Sequence, residues 1–120
     1  MTVSPLAPDR FPDMPAIAGL GLATAASGLK YTGRDDMLLM HCDKGSSIAA
    51  VFTKSDTAAA PVQWSRDALA SGHPPAAILV NAGNANAFTG SAGTATVTAS
   101  ATSMAQRIGC TPQAVLLAST

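Results

Sequence analysis

Between Ser91 and Ile108 the chain keeps helical periodicity for longer than anywhere else. Val97, Ala101, Met104, Ala105 and Ile108 fall on one face, and Gly109 follows as a stop signal. Much of the remaining surface of that helix is Thr and Ser (Thr94, Thr96, Thr98, Ser100, Thr102, Ser103), residues small enough to let it lie close on a sheet. Two short apolar runs bracket it, Ala77–Val80 and Val115–Ala118, each of strand length. A helix with one apolar face, set between buried strands, needs a sheet to cover. The chain is thereby confined to a layered α/β or α+β domain.

The other elements fit that class. Residues 1–15 hold four prolines and little periodicity, and read as an extended arm. Ala16–Ala26 is rich in Gly and Ala and reads as a strand with close backbone packing at Gly19 and Gly21. Gly28–Asp36 is a polar turn region. Met37–Cys42 is a compact apolar strand. Asp43-Lys44-Gly45-Ser46-Ser47 has the length of a hairpin turn, which predicts an antiparallel partner strand at Ile48–Thr53. Pro61–Trp64 reads as extended. Ser65 is placed to cap a short helix running through Ala70, with Asp67 in its first turn and Gly72 as its stop. Pro74-Pro75 breaks the chain before the next strand. No internal repeat is present.

Composition excludes several functions. Seven basic and seven acidic residues give no net charge, and the basic ones are scattered, so there is no electrostatic footprint for nucleic acid. No apolar run approaches the ~20 residues of a membrane span. A basic segment followed by an apolar one is lacking at the N-terminus, which leaves the cytoplasm as the expected compartment. Only 12% of residues are charged, and every acid is Asp. That is about half the usual charge for a soluble domain. Either another polypeptide covers much of this surface, or the chain simply has an Ala-rich composition. Cys42 and Cys110 are isolated, and with His41 and His73 they form no metal-ligand spacing. Cys42 reads as a buried free thiol. His41 is its neighbour in a strand, so the two side chains point to opposite faces and make no catalytic pair.

The segment that invites chemistry is Asn81-Ala82-Gly83-Asn84-Ala85-Asn86, directly after the run Ala76–Val80. Enzymes of this class often build sites where a buried strand empties into a polar turn. Three amides and a glycine supply donors, acceptors and tolerance of left-handed backbone. The same residues also suit a turn held by Asx hydrogen bonds with no further role. Neither a phosphate loop nor a Ser-His-Asp order is visible, and Gly19-x-Gly21 lacks the remainder of a dinucleotide fingerprint.

Taken together, five segments resemble the ornithine acetyltransferase family, the glutamate N-acetyltransferases of the cyclic arginine pathway. They are Gly28-Leu29-Lys30 through Asp36-Met37-Leu38-Leu39, Val51–Lys54, Ala58–Val62, Val80–Ala87 with Thr89-Gly90, and Val115–Thr120, in the family's order and spacing. The resemblance implies an α+β layered sandwich of the self-processing ornithine acetyltransferase and aminopeptidase type. Residues 16–120 would be the N-terminal portion of a single catalytic domain, completed by downstream sequence or a second chain.

The resemblance further implies that the precursor cleaves itself at an Ala–Thr bond downstream of these residues. The new N-terminal Thr then acts as nucleophile with its own amine as base. It takes acetyl from N-acetylornithine and passes it to glutamate; no cofactor is implied, and some members accept acetyl-coenzyme A as donor. The partners implied are the second (beta) chain of the same precursor and a dimer of two-chain units. Thr120 matches the Thr of the family's Thr-Gly oxyanion hole, with the glycine falling one position further on. Asn81, Gly83, Asn84 and Asn86 are expected to scaffold the site, the amides bonding to backbone near Thr120. The 120 residues alone are expected to be inactive. A self-processing aminopeptidase-like hydrolase and a non-catalytic structural fragment are the alternatives.

Overall fold

The computed structural model describes residues 4–120. Its four-stranded sheet has the order β1-β2-β3-β4, with β1 at Leu20–Ala25, β2 at Met37–Cys42, β3 at Ala77–Asn81 and β4 at Val115–Ser119. Helix α1 spans Ala60–Ala70 and α2 spans Gly90–Ile108. Pairing is antiparallel from β1 to β2 and from β2 to β3, then parallel from β3 to β4. Parallel neighbours need a crossover connection, and α2 supplies it. The mixed α/β architecture therefore agrees with the class expected from the strand and helix signals.

The core lies between the helices and β3–β4. Gly93, Val97, Ala101 and Ala105 form the buried stripe of α2. Val97, Ala101 and Ala105 pack on Val115 and Leu117, joined by Trp64 of α1 and Leu79 of β3. Val115 and Leu117 are two apart, so both face this layer as the strand period requires. The opposite face carries the cross-strand row Leu22, Met40, Ile78 and Leu116. Exposure along it runs from 66% at Leu22 to 6% at Leu116. Gly109 ends α2 in the left-handed conformation, φ +74°, with its N–H on the Ala105 carbonyl.

Several local expectations fail. Ile48–Thr53 forms no strand, and Val51 is 98% exposed. Both edges of β2 are already taken, by β1 and β3, so no hydrogen-bonding row is left for a hairpin partner there. Pro61–Trp64 is helical, not extended: α1 begins at Ala60 and keeps Pro61 in its first turn, where a missing N–H costs nothing. Ser65 therefore sits inside the helix and caps nothing. It is buried, and its Oγ accepts the Leu117 N–H and donates to the Leu117 carbonyl, both at 2.8 Å. Trp64 Nε1 adds a bond to the Val115 carbonyl at 2.9 Å. The outer edge of β4 is thus satisfied by helix side chains.

Of the arm expected over 1–15, Met1–Val3 lie outside the described residues. Residues 4–15 are exposed and form neither helix nor strand. Gly19 takes φ +82° just before β1, a turn conformation in place of the close packing expected of it. Cys42 and Cys110 are free thiols, both half-buried, so Cys42 is more accessible than anticipated. Among the described residues no helix is long and apolar enough to cross a membrane.

Candidate functional site at the ends of the parallel strands

Parallel strands β3 and β4 end on the same edge, where Asn81 pairs with Ser119. In open α/β sheets ligands bind beyond the carboxyl ends of the strands. The segment Asn81–Asn86 leaves the sheet there and wraps Thr120. The Thr120 N–H donates to the Asn81 carbonyl at 3.0 Å, and the Gly83 N–H donates to the Thr120 carbonyl at 2.7 Å. Gly83 makes this turn at φ +108°, a region that favours glycine. Both backbone polar groups of Thr120 are thereby committed, while its side chain stands in an exposed position.

The amides do something different from what was expected of them. Thr120 is held by the main chain of Asn81 and Gly83, because the parallel ladder simply continues one step past β3. Asn81 Oδ1 accepts the Ser119 hydroxyl at 2.5 Å, and its Nδ2 donates to the Asn84 carbonyl at 3.0 Å. Asn84 Oδ1 accepts the Asn86 N–H at 3.0 Å, an Asx turn. Asn86 is buried at φ +50°. Its Nδ2 donates to the Gly93 carbonyl at 3.0 Å, and its Oδ1 accepts the Thr89 hydroxyl at 2.6 Å. Asn84 and Asn86 therefore lock the loop to itself and to the first turns of α2. Asn81 alone reaches the Thr120 end of β4, through Ser119.

Gly93 explains how closely these pieces fit. A Cβ at this position would lie 1.9 Å from Thr89 Oγ1 and 2.5 Å from Asn86 Oδ1. A cavity of about 280 Å³ opens between the loop and the helix layer. Leu79, Leu117 and Val97 give it an apolar floor, and Asn81, Ser100 and Ser119 give it polar walls.

Asp36 is a residue that sequence reasoning passed over as part of a polar turn. It is buried, directly before β2. Its carboxylate accepts the Ser27 N–H at 2.6 Å and the Leu29 N–H at 2.9 Å, and its own carbonyl accepts the Ala82 N–H at 2.8 Å. The Ser27 backbone bond, with weaker help from the Ser27 hydroxyl and the Leu29 and Gly28 N–H groups, holds the carboxyl below its ordinary pKa against the opposing effect of burial. Its only trace in the sequence is a charge directly before an apolar strand.

The model of the ArgJ family matches residues 21–120. The arginine biosynthesis bifunctional protein ArgJ of Agrobacterium fabrum is 52% identical over 120 residues, covering all of this chain and 29% of that protein. Its counterpart in Bradyrhizobium diazoefficiens is 50% identical over 119 residues, covering 99% and 29%. The chain thus spans about three-tenths of the length of the curated relatives it matches. Among solved structures, ornithine acetyltransferase from Mycobacterium tuberculosis, complexed with ornithine, superposes with a TM-score of 0.79 at 34% identity, covering 86% of this chain and 56% of that one. The ArgJ protein of Bacillus halodurans gives 0.75 at 29% identity, covering 86% and 53%. The resemblance carried by the five segments holds over nearly the whole sequence, and this chain belongs to the ArgJ family.

Proposed function

We propose that this chain supplies scaffold and an oxyanion-hole donor to an acetyltransferase of arginine biosynthesis. The observation that carries the reading is the treatment of Thr120. Its N–H and carbonyl are both bound by the Asn81–Gly83 main chain, so the donor it has left to offer is the Oγ1 hydroxyl. A hydroxyl on a fixed backbone at the strand ends suits an oxygen that becomes negative during acyl transfer.

The chemistry then runs as acyl transfer in two halves. A threonine hydroxyl at the N-terminus of the second chain attacks the acetyl carbonyl of N-acetylornithine, its proton passing to the terminal amine. The carbonyl oxygen takes the negative charge and receives the Thr120 hydroxyl bond. Collapse expels ornithine as its amine, which recovers a proton, and leaves an acetyl ester on the threonine. The amine of glutamate attacks that ester through the same geometry and restores the free hydroxyl. Acetyl-coenzyme A as a donor would enter at the first half by losing its thiol. No cofactor takes part in this scheme.

A covering second chain, released by autocatalytic cleavage and assembled as a dimer of two-chain units in the cytoplasm, belongs to the same proposal. Phe88 and Val51 are 87% and 98% exposed, large apolar side chains that a covering layer would bury. The radius of gyration is 15.5 Å, against about 13.6 Å for a compact domain of this length. Both features suit a layer that packs against further polypeptide. Family membership favours transfer over the hydrolase alternative.

The test is Thr120→Val in the intact enzyme, a near-isosteric loss of the hydroxyl. The kcat for acetyl transfer from N-acetylornithine should fall by about 10²–10³. An unchanged kcat would remove Thr120 from the oxyanion hole.

A further inference from the structure

Asp36 is only 3% exposed, and the acyl-transfer scheme makes no use of its carboxylate. A buried carboxylate stays charged only where donors replace the water it has lost. Here the donors are the Ser27 and Leu29 N–H groups. Those two bonds fold residues 27–30 back toward the strand ends. Lys30 then rests against Gly83 so closely that a Cβ on residue 83 would lie 2.7 Å from Lys30 Cβ. One residue earlier, the Asp36 carbonyl holds the Ala82 N–H. Asp36 thus bears on the Asn81–Asn86 loop through its main chain at Ala82 and, by way of its carboxylate and Lys30, at Gly83, which donates to the Thr120 carbonyl.

We propose that Asp36 is a positioning residue for Thr120: its carboxylate fixes loop 27–30, the loop fixes Gly83, and Gly83 sets where the Thr120 hydroxyl points. This inference rests on the reading of Thr120 as an oxyanion donor. The physical reason is that such a donor acts through preorganisation. Catalytic groups need to be held within about 0.5 Å of the productive position, and a misplacement of about 1 Å can cost 10²-fold in rate. Thr120 lies one residue past β4, its N–H on the Asn81 carbonyl and its carbonyl on the Gly83 N–H. The Asn81 bond belongs to the sheet itself, whereas the Gly83 bond comes from the loop, and that second grip leads back to Asp36.

The experiment is a double-mutant cycle in the intact enzyme, with Asp36→Asn, Thr120→Val and the two combined, each assayed with N-acetylornithine and glutamate and normalised to folded protein. Asp36→Asn keeps the shape and one acceptor oxygen but turns an NH2 donor toward the other of the two backbone N–H groups, so the loop loses one of its two anchors. The expected result is a kcat about tenfold to 10²-fold lower with KM for N-acetylornithine unchanged. The double variant should be no slower than Thr120→Val alone, since residues acting through one another are non-additive. A normal kcat in Asp36→Asn, or losses that multiply in the double variant, would overturn the link and leave the oxyanion reading standing. A normal kcat in Thr120→Val would overturn that reading and the inference with it. Should Asp36→Asn fail to fold, Lys30→Gly removes the side chain that rests on Gly83 and is scored by the same rules.

Discussion

Ser65 Oγ lies 2.8 Å from both the N–H and the carbonyl oxygen of Leu117. One hydroxyl therefore accepts from and donates to the same strand residue, closing the free edge of β4 from the middle of a helix. Unpaired edges invite association with other strands, and here the edge is occupied without a fifth strand. Ser65→Ala leaves a buried N–H and a buried carbonyl without partners. The variant should be destabilised by about 1–3 kcal/mol, read as a lower midpoint in urea. A midpoint equal to that of the parent would mean that water replaces the hydroxyl.

Gly93 should tolerate no side chain. Its added Cβ would meet Thr89 Oγ1 and Asn86 Oδ1 well inside contact distance. Gly93→Ala has a helix-propensity gain of about 1 kcal/mol in its favour, and overpacking opposes it with about 1–3 kcal/mol or more. The second effect wins because the contact is with groups already hydrogen-bonded to each other. Thermal unfolding of the intact protein decides the sign: a raised Tm would refute the fit described for this corner.

Asn86 combines a left-handed backbone with two side-chain bonds. Asn86→Ala removes the side-chain bonds to the Gly93 carbonyl and from the Thr89 hydroxyl, at about 0.5–1.5 kcal/mol each. It also places a residue with no local hydrogen bond where φ is positive, which costs roughly 1–2 kcal/mol in the left-handed region. Asn86→Gly removes the same bonds but not the backbone preference, so it should be the milder of the two. Equal losses in both variants would show that the φ value carries no cost.

The Asp36 carboxyl makes stability depend on pH in acid. Its folded pKa lies below the ordinary 3.8, so the unfolded chain takes up its proton first as pH falls. The stabilisation is therefore complete above that ordinary value and is lost as pH drops through the lower, folded value. Urea midpoints measured from about pH 5 downward should fall more steeply in the parent than in Asp36→Asn. Parallel curves would mean that the Ser27 and Leu29 bonds do not favour the charged form.

Strands β2, β3 and β4 and helix α2 were legible because each carries a local period. The Val97–Ala101–Ala105 stripe lies where spacing put it, and Gly109 stops the helix as expected. The expected partner at Ile48–Thr53 shows where local reasoning ends. Its residues favour a strand well enough, yet strand formation needs a free edge, and β1 had already taken it from a distance in sequence. Pro61 and Ser65 misled for a related reason. Proline suits an extended segment or the first turn of a helix, and serine suits a cap or a buried bridge. Only the partner, Leu117, separates these uses.

At the candidate site the Asn81–Asn86 segment could be found by composition, but the division of labour among its amides could not. Asn84 and Asn86 face the loop and α2, while main chain holds Thr120. Asp36 gave no signal beyond its charge. The periodic elements, the layered class and the family follow from spacing and residue identity along the chain. Tertiary structure decided which strands neighbour one another, which polar groups are buried and which backbone atoms grip Thr120. Those outcomes depend on contacts between residues far apart in sequence, such as Ser65 with Leu117 and Gly83 with Thr120, whose hydrogen bonds exist only once the sheet register is set.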